Sequence, residues 1–269
     1  MAAAPPSPVP LEVHDEGSGP AILLVHGIGG DRSIWNALVP SLSPQFRVLA
    51  PDLRGHGRTP APSGSQFTFD ELLTDLIHLL DSKGLSTAHW VGLSAGALLA
   101  LKAGLDRKER VRSVTMISGM AYTDAHTRSM TDRLTETYTE EGADAYALRL
   151  LKDLYYPDWI EAHLDFADRV REGIAHGDLA PAEAWTRSAD RFDERNRIAS
   201  LGLPALIVQG MDDALVDPAH GRILRQSIPG SQIRILAQTG HMVPLERPKE
   251  TAEAIRAFVS SVEGGAGGA

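Results

Sequence analysis

Short apolar runs recur along the chain, separated by segments whose apolar residues follow a helical spacing. Each run has the length and the β-branched content of a buried strand. Because the runs are almost continuously apolar, we expect strands that are covered on both faces, as in a parallel sheet. The predicted strands are residues 21–26, 46–50, 88–93, 111–117, 205–209 and 232–236.

Helical periodicity fills the intervals between these strands. Apolar residues recur at i, i+3, i+4 and i+7 from Phe69 to Leu80, and Gly84 follows at a position that ends the helix. Residues 252–262 place a second apolar stripe on one helical face. Strands that alternate with helices predict βαβ crossovers and an open α/β sheet.

One segment, residues 122–198, breaks the alternation because it shows helical periodicity and no convincing strand. We therefore expect a core domain at 1–121, a helical insertion at 122–198, the second part of the core at 199–263 and a disordered glycine-rich tail at 264–269. The insertion carries 17 acidic and ten basic side chains, so most of the net charge of −9 lies there. We interpret this charge as a solvated outer surface.

The composition excludes several classes of protein. The 269-residue chain contains no cysteine, which rules out thiol nucleophiles, disulfide frameworks and zinc ribbons. The acidic net charge argues against nucleic acid or an anionic membrane as the main partner. No apolar run approaches the ~20 residues of a membrane span, and the first residues lack a signal-peptide pattern, so we expect a cytoplasmic protein. The histidines show no metal-ligand spacing, and we expect no metal or other cofactor.

A nucleophile motif lies between a predicted strand and a predicted helix. Residues 92–96 read Gly-Leu-Ser-Ala-Gly, which is G-x-S-x-G in the strand–turn–helix context of a nucleophile elbow. Glycines are needed there because the turn is tight, and the strained Ser94 then points its hydroxyl away from the sheet. The alternative is a glycine-rich turn that holds a structural serine.

A serine hydroxyl needs a base, and the base needs a carboxylate that orients it. His241 follows the last predicted strand, where an open α/β sheet places its active site. The loop after the preceding predicted strand offers three carboxylates, of which we choose Asp213 as the partner of His241. Asp217 precedes a proline and suits the cap of the next helix, and Asp212 is expected to face solvent.

Two backbone amides are expected to bind the oxyanion. One is the amide of Ala95, which follows the nucleophile. The other is the amide of Ile28 in the glycine-rich loop at 26–30, whose glycines let the backbone approach the nucleophile. The alternative is a loop that only connects a strand to a helix. A dinucleotide-binding loop is excluded because the glycines are spaced G-x-G-G.

These motifs together resemble the α/β-hydrolase superfamily over residues 11–262. The resemblance rests on the oxyanion loop at 26–30, on the D-x-R-G-x-G-x-T pattern within 51–59, on Pro-Leu-Glu-Arg-Pro at 244–248 and on the three candidate catalytic residues. Within the superfamily the chain is similar to small esterases and lactonases, including enol-lactonase-like and acyl-homoserine-lactone-degrading members. The family usually begins with a hairpin of two strands, whereas only residues 11–14 look like a strand here.

The resemblance implies a mostly parallel sheet flanked by helices, with residues 122–198 as a lid between the sixth and seventh family strands. It also implies a serine hydrolase of small to medium esters or lactones that works through an acyl-enzyme. The apolar pocket wall is expected to include Tyr122, Tyr155, Trp159, Val216 and Met242. Two alternatives stay open, which are a perhydrolase or acyltransferase with the same triad and a non-catalytic receptor for a small ligand.

Overall fold

Seven strands form one sheet in the order β1-β3-β2-β4-β5-β6-β7, with β1 antiparallel to β3 and the other neighbours parallel. The computed structural model describes residues 7–266, and for residue 266 it describes only the backbone. The strands are β1 (Val13–Glu16), β2 (Ala21–Val25), β3 (Arg47–Pro51), β4 (Ala88–Leu93), β5 (Val111–Ile117), β6 (Ala205–Gly210) and β7 (Gln232–Leu236).

Helices cover both faces of this sheet and fill a long insertion. None of the helices in the described part is long and apolar enough to cross a membrane. They are α1 (Val39–Leu42), α2 (Phe69–Ser82), α3 (Ala95–Asp106), α4 (Ala125–Glu141), α5 (Ala143–Leu154), α6 (Pro157–Glu161), α7 (Leu164–His176), α8 (Ala180–Ala189), α9 (Ala219–Ser227), α10 (Val243–Glu246) and α11 (Pro248–Ala266).

The central strands are buried on both faces, as their apolar sequences predict. In β2, Leu23 and Val25 join the cluster formed with α2, α3 and α9, whereas Ile22 and Leu24 join the cluster formed with α1 and α11. This alternation follows from the two-residue period of a strand. The chain leaves β2 toward β3 and later returns to β4 on the opposite side, so a crevice opens at the carboxyl ends of β2 and β4.

Five helices, α4–α8, lie between β5 and β6, where the sequence predicts a helical segment. The two ends of this insertion are tied to each other by an isolated antiparallel bridge between Tyr122 and Asp193. Beside the bridge, the Thr123 amide donates to the Phe192 carbonyl at 3.0 Å. The insertion therefore leaves and re-enters the core at one place. Its action as a lid stays a prediction.

The structure differs from the sequence prediction at both ends of the chain. The first strand begins at Val13 rather than at residue 11, and residues 7–12 form no strand. The tail expected to be disordered at 264–269 is helical at 264–266, while 267–269 lie outside the described residues. Glu263 contacts Arg112 at 2.7 Å, which anchors α11 just before these residues. Extending an existing helix costs less than starting one, so the glycines continue it.

A buried ion pair joins the loop after β3 to α2. The Arg54 guanidinium donates to both carboxylate oxygens of Asp75 at 2.6 and 2.7 Å, and it also reaches Glu71 at 3.0 Å. Asp75 is fully buried and also accepts from the Val9 amide at 2.7 Å. Removing one partner of such a pair leaves the other charge buried without compensation.

We predict that Asp75→Ala lowers the free energy of unfolding by about 3–5 kcal/mol, because Arg54 then stays buried with only Glu71 as a partner and the Val9 amide loses its acceptor. Urea denaturation measures this loss. The control is Asp70→Ala on the same helix, whose carboxylate is 75 % exposed and 3.6 Å from Lys102. That exposed pair is expected to contribute about 0–1 kcal/mol. Equal and small losses in both variants would contradict the prediction.

Candidate active site

The turn from β4 into α3 holds Ser94 in a strained conformation, with φ 55° and ψ −123°. A non-glycine residue in this region costs about 1–3 kcal/mol and persists only where its surroundings impose it. A Cβ atom at Gly92 would overlap the carbonyl of Gly96, and one at Gly96 would overlap the carbonyl oxygen of Val25. Both glycines of the predicted elbow are therefore required by close backbone packing.

Backbone hydrogen bonds fix Ser94 and leave its hydroxyl free. Its amide donates to the Ile117 carbonyl of β5 at 2.9 Å, and its carbonyl accepts from the Ala97 amide at 2.8 Å. The residue is half-buried. Within residues 7–266, no protein group forms a hydrogen bond with the Ser94 hydroxyl. In unliganded sites, catalytic hydrogen bonds are often long and shorten only when substrate binds.

The two amides predicted for the oxyanion belong to segments that adjoin Ser94. Ala95 is the first residue of α3, so its amide has no partner inside the helix and points along the positive end of the helix dipole. Gly27 packs against Ser94, and a Cβ atom at Gly27 would lie 3.7 Å from the serine Oγ. Ile28 follows, and its amide has no partner among the described residues. Their role as oxyanion donors stays a prediction.

The structure brings Asp213 and His241 together. His241 Nδ1 lies 2.9 Å from Asp213 Oδ2, and both side chains are almost completely buried. The amides of Leu215 and Val216 donate to Asp213 Oδ1 at 3.1 and 2.9 Å, and Gln209 Nε2 donates to Oδ2 at 3.0 Å. Both carboxylate oxygens are therefore fixed in direction, and the hydrogen bond to Asp213 uses Nδ1 of the imidazole and leaves Nε2 available.

The two other carboxylates of this loop have the places expected of them. Asp212 is exposed. Asp217 Oδ1 accepts from the Ala219 amide at 2.7 Å and so caps the start of α9. Of the three candidates, only Asp213 contacts His241 among the described residues.

Sequence reasoning missed two residues that hold the acid and the base. Gln209 donates to Asp213 from the end of β6, and it also donates to the Val216 carbonyl at 3.3 Å. Ser118 follows β5 with φ 49°, and its hydroxyl donates to the His241 carbonyl at 2.7 Å. In the sequence, only their positions at strand ends near the crevice indicate such a role, and polar residues at strand ends are common.

The predicted pocket residues separate into three places. Tyr155 and Trp159 stack with ring centres 5.1 Å apart, and Met242 packs against the same cluster beside the base. Val216 is buried next to the acid. Tyr122 instead lies under the Arg195 guanidinium, 4.2 Å from it, at the neck of the insertion. Contact of these residues with a substrate stays a prediction.

Nothing in the described part of the chain suggests a metal centre. Residues 7–266 contain no group of three or more His, Cys, Asp or Glu side chains that could hold a metal ion. The polar groups at the crevice instead pair with each other, as the contacts of Asp213 show.

Comparison with known proteins gives the family. The model of the alpha/beta hydrolase fold family matches residues 20–248. The chain belongs to this family.

Several relatives of this alpha/beta hydrolase have names that describe a reaction. A protein provisionally named carbamate hydrolase RutD, from Variovorax paradoxus strain S110, is 30 % identical over 87 % of this chain and 89 % of its own. The enol-lactonase of Burkholderia xenovorans LB400 is 28 % identical with a TM-score of 0.85, over 93 % of this chain and 96 % of its own. A thermophilic esterase of Thermogutta terrifontis is 27 % identical with a TM-score of 0.81, over 94 % and 93 %.

The glycine-rich loop at 26–30 of this alpha/beta hydrolase contains a buried neutral histidine. His26 Nδ1 lies 2.8 Å from the Gly27 carbonyl, and the Leu53 amide donates to Nε2 at 3.0 Å, so one nitrogen donates and the other accepts. Burial, with a smaller effect of His56, lowers the pKa of His26 to about 4. Trp185 of α8 lies edge-on to the His26 ring, so the insertion covers this loop.

We predict that His26 makes the protein less stable in mild acid. Between about pH 6.5 and pH 4, His26 binds a proton in the unfolded chain but not in the folded chain. The free energy of unfolding therefore falls as the pH falls through this window. From pH 7 to pH 5 the contribution of His26 is about 2 kcal/mol. Urea denaturation at both pH values measures it, and His26→Asn should lose this part of the pH dependence.

The exposed His78 on α2 provides the control. His78→Asn should keep the pH dependence of the wild type. If His26→Asn also keeps it, the buried histidine does not cause the effect.

Proposed function

We propose that this protein hydrolyses carboxylic esters or lactones of small to medium size through an acyl-enzyme on Ser94. The observation that carries the proposal is the hydrogen bond of His241 Nδ1 to the fixed carboxylate of Asp213, together with a serine held in an elbow at the carboxyl end of β4. The names of the enol-lactonase and the esterase among its structural relatives support the substrate class.

The proposed reaction begins with attack of the Ser94 hydroxyl on the substrate carbonyl. His241 Nε2 accepts the serine proton, and Asp213 stabilises the imidazolium that forms. The negative charge on the carbonyl oxygen is bound by the amides of Ile28 and Ala95, a contribution that is typically worth 10²–10³-fold in rate per donor.

Collapse of the tetrahedral intermediate then releases the alcohol, which takes the proton from His241. In a lactone, the alcohol stays attached to the acyl group. Water attacks the acyl-enzyme in the second step, with the same base and the same oxyanion site. All groups needed for both steps belong to the chain or the solvent.

A carbamate is the second candidate substrate, because the relative at 30 % identity is named for that reaction. The same triad could attack a carbamate carbonyl, and the two substrate classes differ only in the leaving group and the acyl group. Perhydrolysis and acyl transfer also share the acyl-enzyme and differ in whether peroxide or an alcohol replaces water. A receptor on the same fold would bind the ligand without repeated turnover.

We predict turnover of short nitrophenyl esters and of lactones, with slower turnover of carbamates. Ser94→Ala is expected to lower kcat by at least about 10⁴-fold, because the nucleophile is absent. Asp213→Asn is expected to lower kcat by roughly 10⁴-fold, because the imidazole loses its orienting carboxylate. Initial rates over a panel of chain lengths measure these effects.

The matched control is Asp212→Asn, which changes the exposed neighbour of the acid and should leave kcat within about twofold of the wild type. Turnover that survives in Ser94→Ala would reject the proposed nucleophile. Faster turnover of carbamates than of every ester would favour the second candidate, and a single turnover with retained product would favour a receptor.

A further inference from the structure

The segment of the insertion that joins α5 to α6 is hydrogen-bonded directly to the loop that carries His241. The Leu154 carbonyl accepts from the amides of His241 and Met242 at 2.8 and 3.3 Å. The contact is close enough to require a glycine, because a Cβ atom at Gly240 would lie 2.8 Å from both the Leu154 oxygen and the Tyr156 nitrogen. The base and the insertion therefore share one packed interface.

A buried carboxylate bridges the two sides of this interface. Glu246 is 4 % exposed and ends α10, a few residues after the base. Its Oε2 accepts from the amides of Gly240 and Tyr156 at 2.9 and 3.0 Å, and its Oε1 accepts from the Met242 amide at 3.1 Å. Glu246 therefore binds the amides of the residues on either side of His241, and it also binds an amide of the insertion.

This carboxylate has no cationic partner among the described residues. Burial raises the pKa of Glu246, and its three backbone donors and the nearby His241 oppose that effect. A buried carboxylate that relies on backbone amides is sensitive to their number and direction. Each hydrogen bond that it loses leaves more of its desolvation penalty uncompensated. Donors from both sides of the interface therefore stabilise the Glu246 carboxylate.

We propose that Glu246 is a positioning residue that couples the docking of the insertion at Leu154–Tyr156 to the placement of the catalytic base. It does not touch the reacting atoms. Movement of this segment away from the core would remove the Tyr156 donor from Glu246 and the Leu154 acceptor from His241 at once. Turnover by His241 then requires the segment to be docked. The proposal rests on the proposed function of His241.

The backbone offers a substitution that removes one hydrogen bond from this bridge. Tyr156 has φ −66°, the value that proline imposes, and Tyr155 before it is extended, as a residue before proline prefers. Tyr156→Pro therefore suits the local backbone torsions and deletes the amide that donates to Glu246. Its ring Cδ takes the place of the donated hydrogen, so the carboxylate must also move away from residue 156. Tyr156→Ala removes the same side chain and keeps the amide, so it is the matched control.

We expect Tyr156→Pro to lower kcat about tenfold relative to Tyr156→Ala, with KM changed less than about threefold, because a hydrogen bond to a charged group is lost. Glu246→Gln keeps the size of the side chain but offers one acceptor oxygen instead of two. It should lower kcat about 10–100-fold. Glu250→Gln, an exposed acid at the start of α11, should leave kcat unchanged.

Amide hydrogen exchange of the substrate-free protein separates positioning from general loss of stability. In Tyr156→Pro and in Glu246→Gln, amides of the loop at 238–244 should exchange at least about fivefold faster than in the controls, while amides of β4 keep the wild-type rate. Faster exchange throughout the chain would overturn the proposal, because Glu246 would then only stabilise the fold. Equal kcat and equal loop exchange in Tyr156→Pro and Tyr156→Ala would also overturn it.

The turnover of the triad variants and the hydrogen exchange of the loop test separate claims. If Ser94→Ala retains turnover, the proposed function fails, and the exchange experiment still tests whether the insertion and the base loop move together. If the triad variants behave as expected but the loop exchange does not depend on the Tyr156 amide, only the coupling through Glu246 is rejected.

Discussion

The site depends on how closely the backbone packs at the carboxyl ends of β2 and β4. No side chain fits at Gly92 or Gly96, because a Cβ atom at either position would overlap a carbonyl group of a neighbouring segment. This packing imposes the strained conformation of Ser94, with φ 55°, which a free turn would avoid. It also places the glycine-rich loop at 26–30 against Ser94, since β2 and β4 are neighbours at the point where the strand order reverses.

Asp213 and His241, the candidate acid and base, come from loops that would have many conformations on their own. Asp213 is fixed because four donors converge on its two oxygens, including the side chain of Gln209 from the end of β6. His241 is fixed from three directions, by Asp213 at its ring, by the Ser118 hydroxyl at its carbonyl and by the insertion at its amide. Preorganisation of this kind removes the need to order these groups during the reaction, which is where much of enzymatic rate enhancement originates.

The sequence predicts those parts that depend on local pattern. The apolar runs locate six strands to within about one residue, because a buried parallel strand needs continuous apolar sequence. The spacing of Ser94, Asp213 and His241 relative to these strands identifies the candidate triad, since the topology brings strand ends together. Ser118 and Glu246 could not be found this way, because they bind backbone groups, which carry no sequence signal. Gln209 could not be found either, because a polar residue at a strand end is common. The sequence does not predict the helical continuation at 264–266, because a glycine-rich segment with no residues to pack indicates disorder.

Covalent trapping tests the central claim most directly. An alkyl fluorophosphonate reacts with a serine only when a base activates it and donors bind the developing charge, so it requires the arrangement described for Ser94. After incubation and proteolysis, mass spectrometry should find one adduct, on Ser94 in the peptide that contains residues 92–96, and the adduct should be absent from His241→Ala. An adduct on another residue, or no adduct on the folded wild-type protein, would contradict the assignment of Ser94 as the nucleophile.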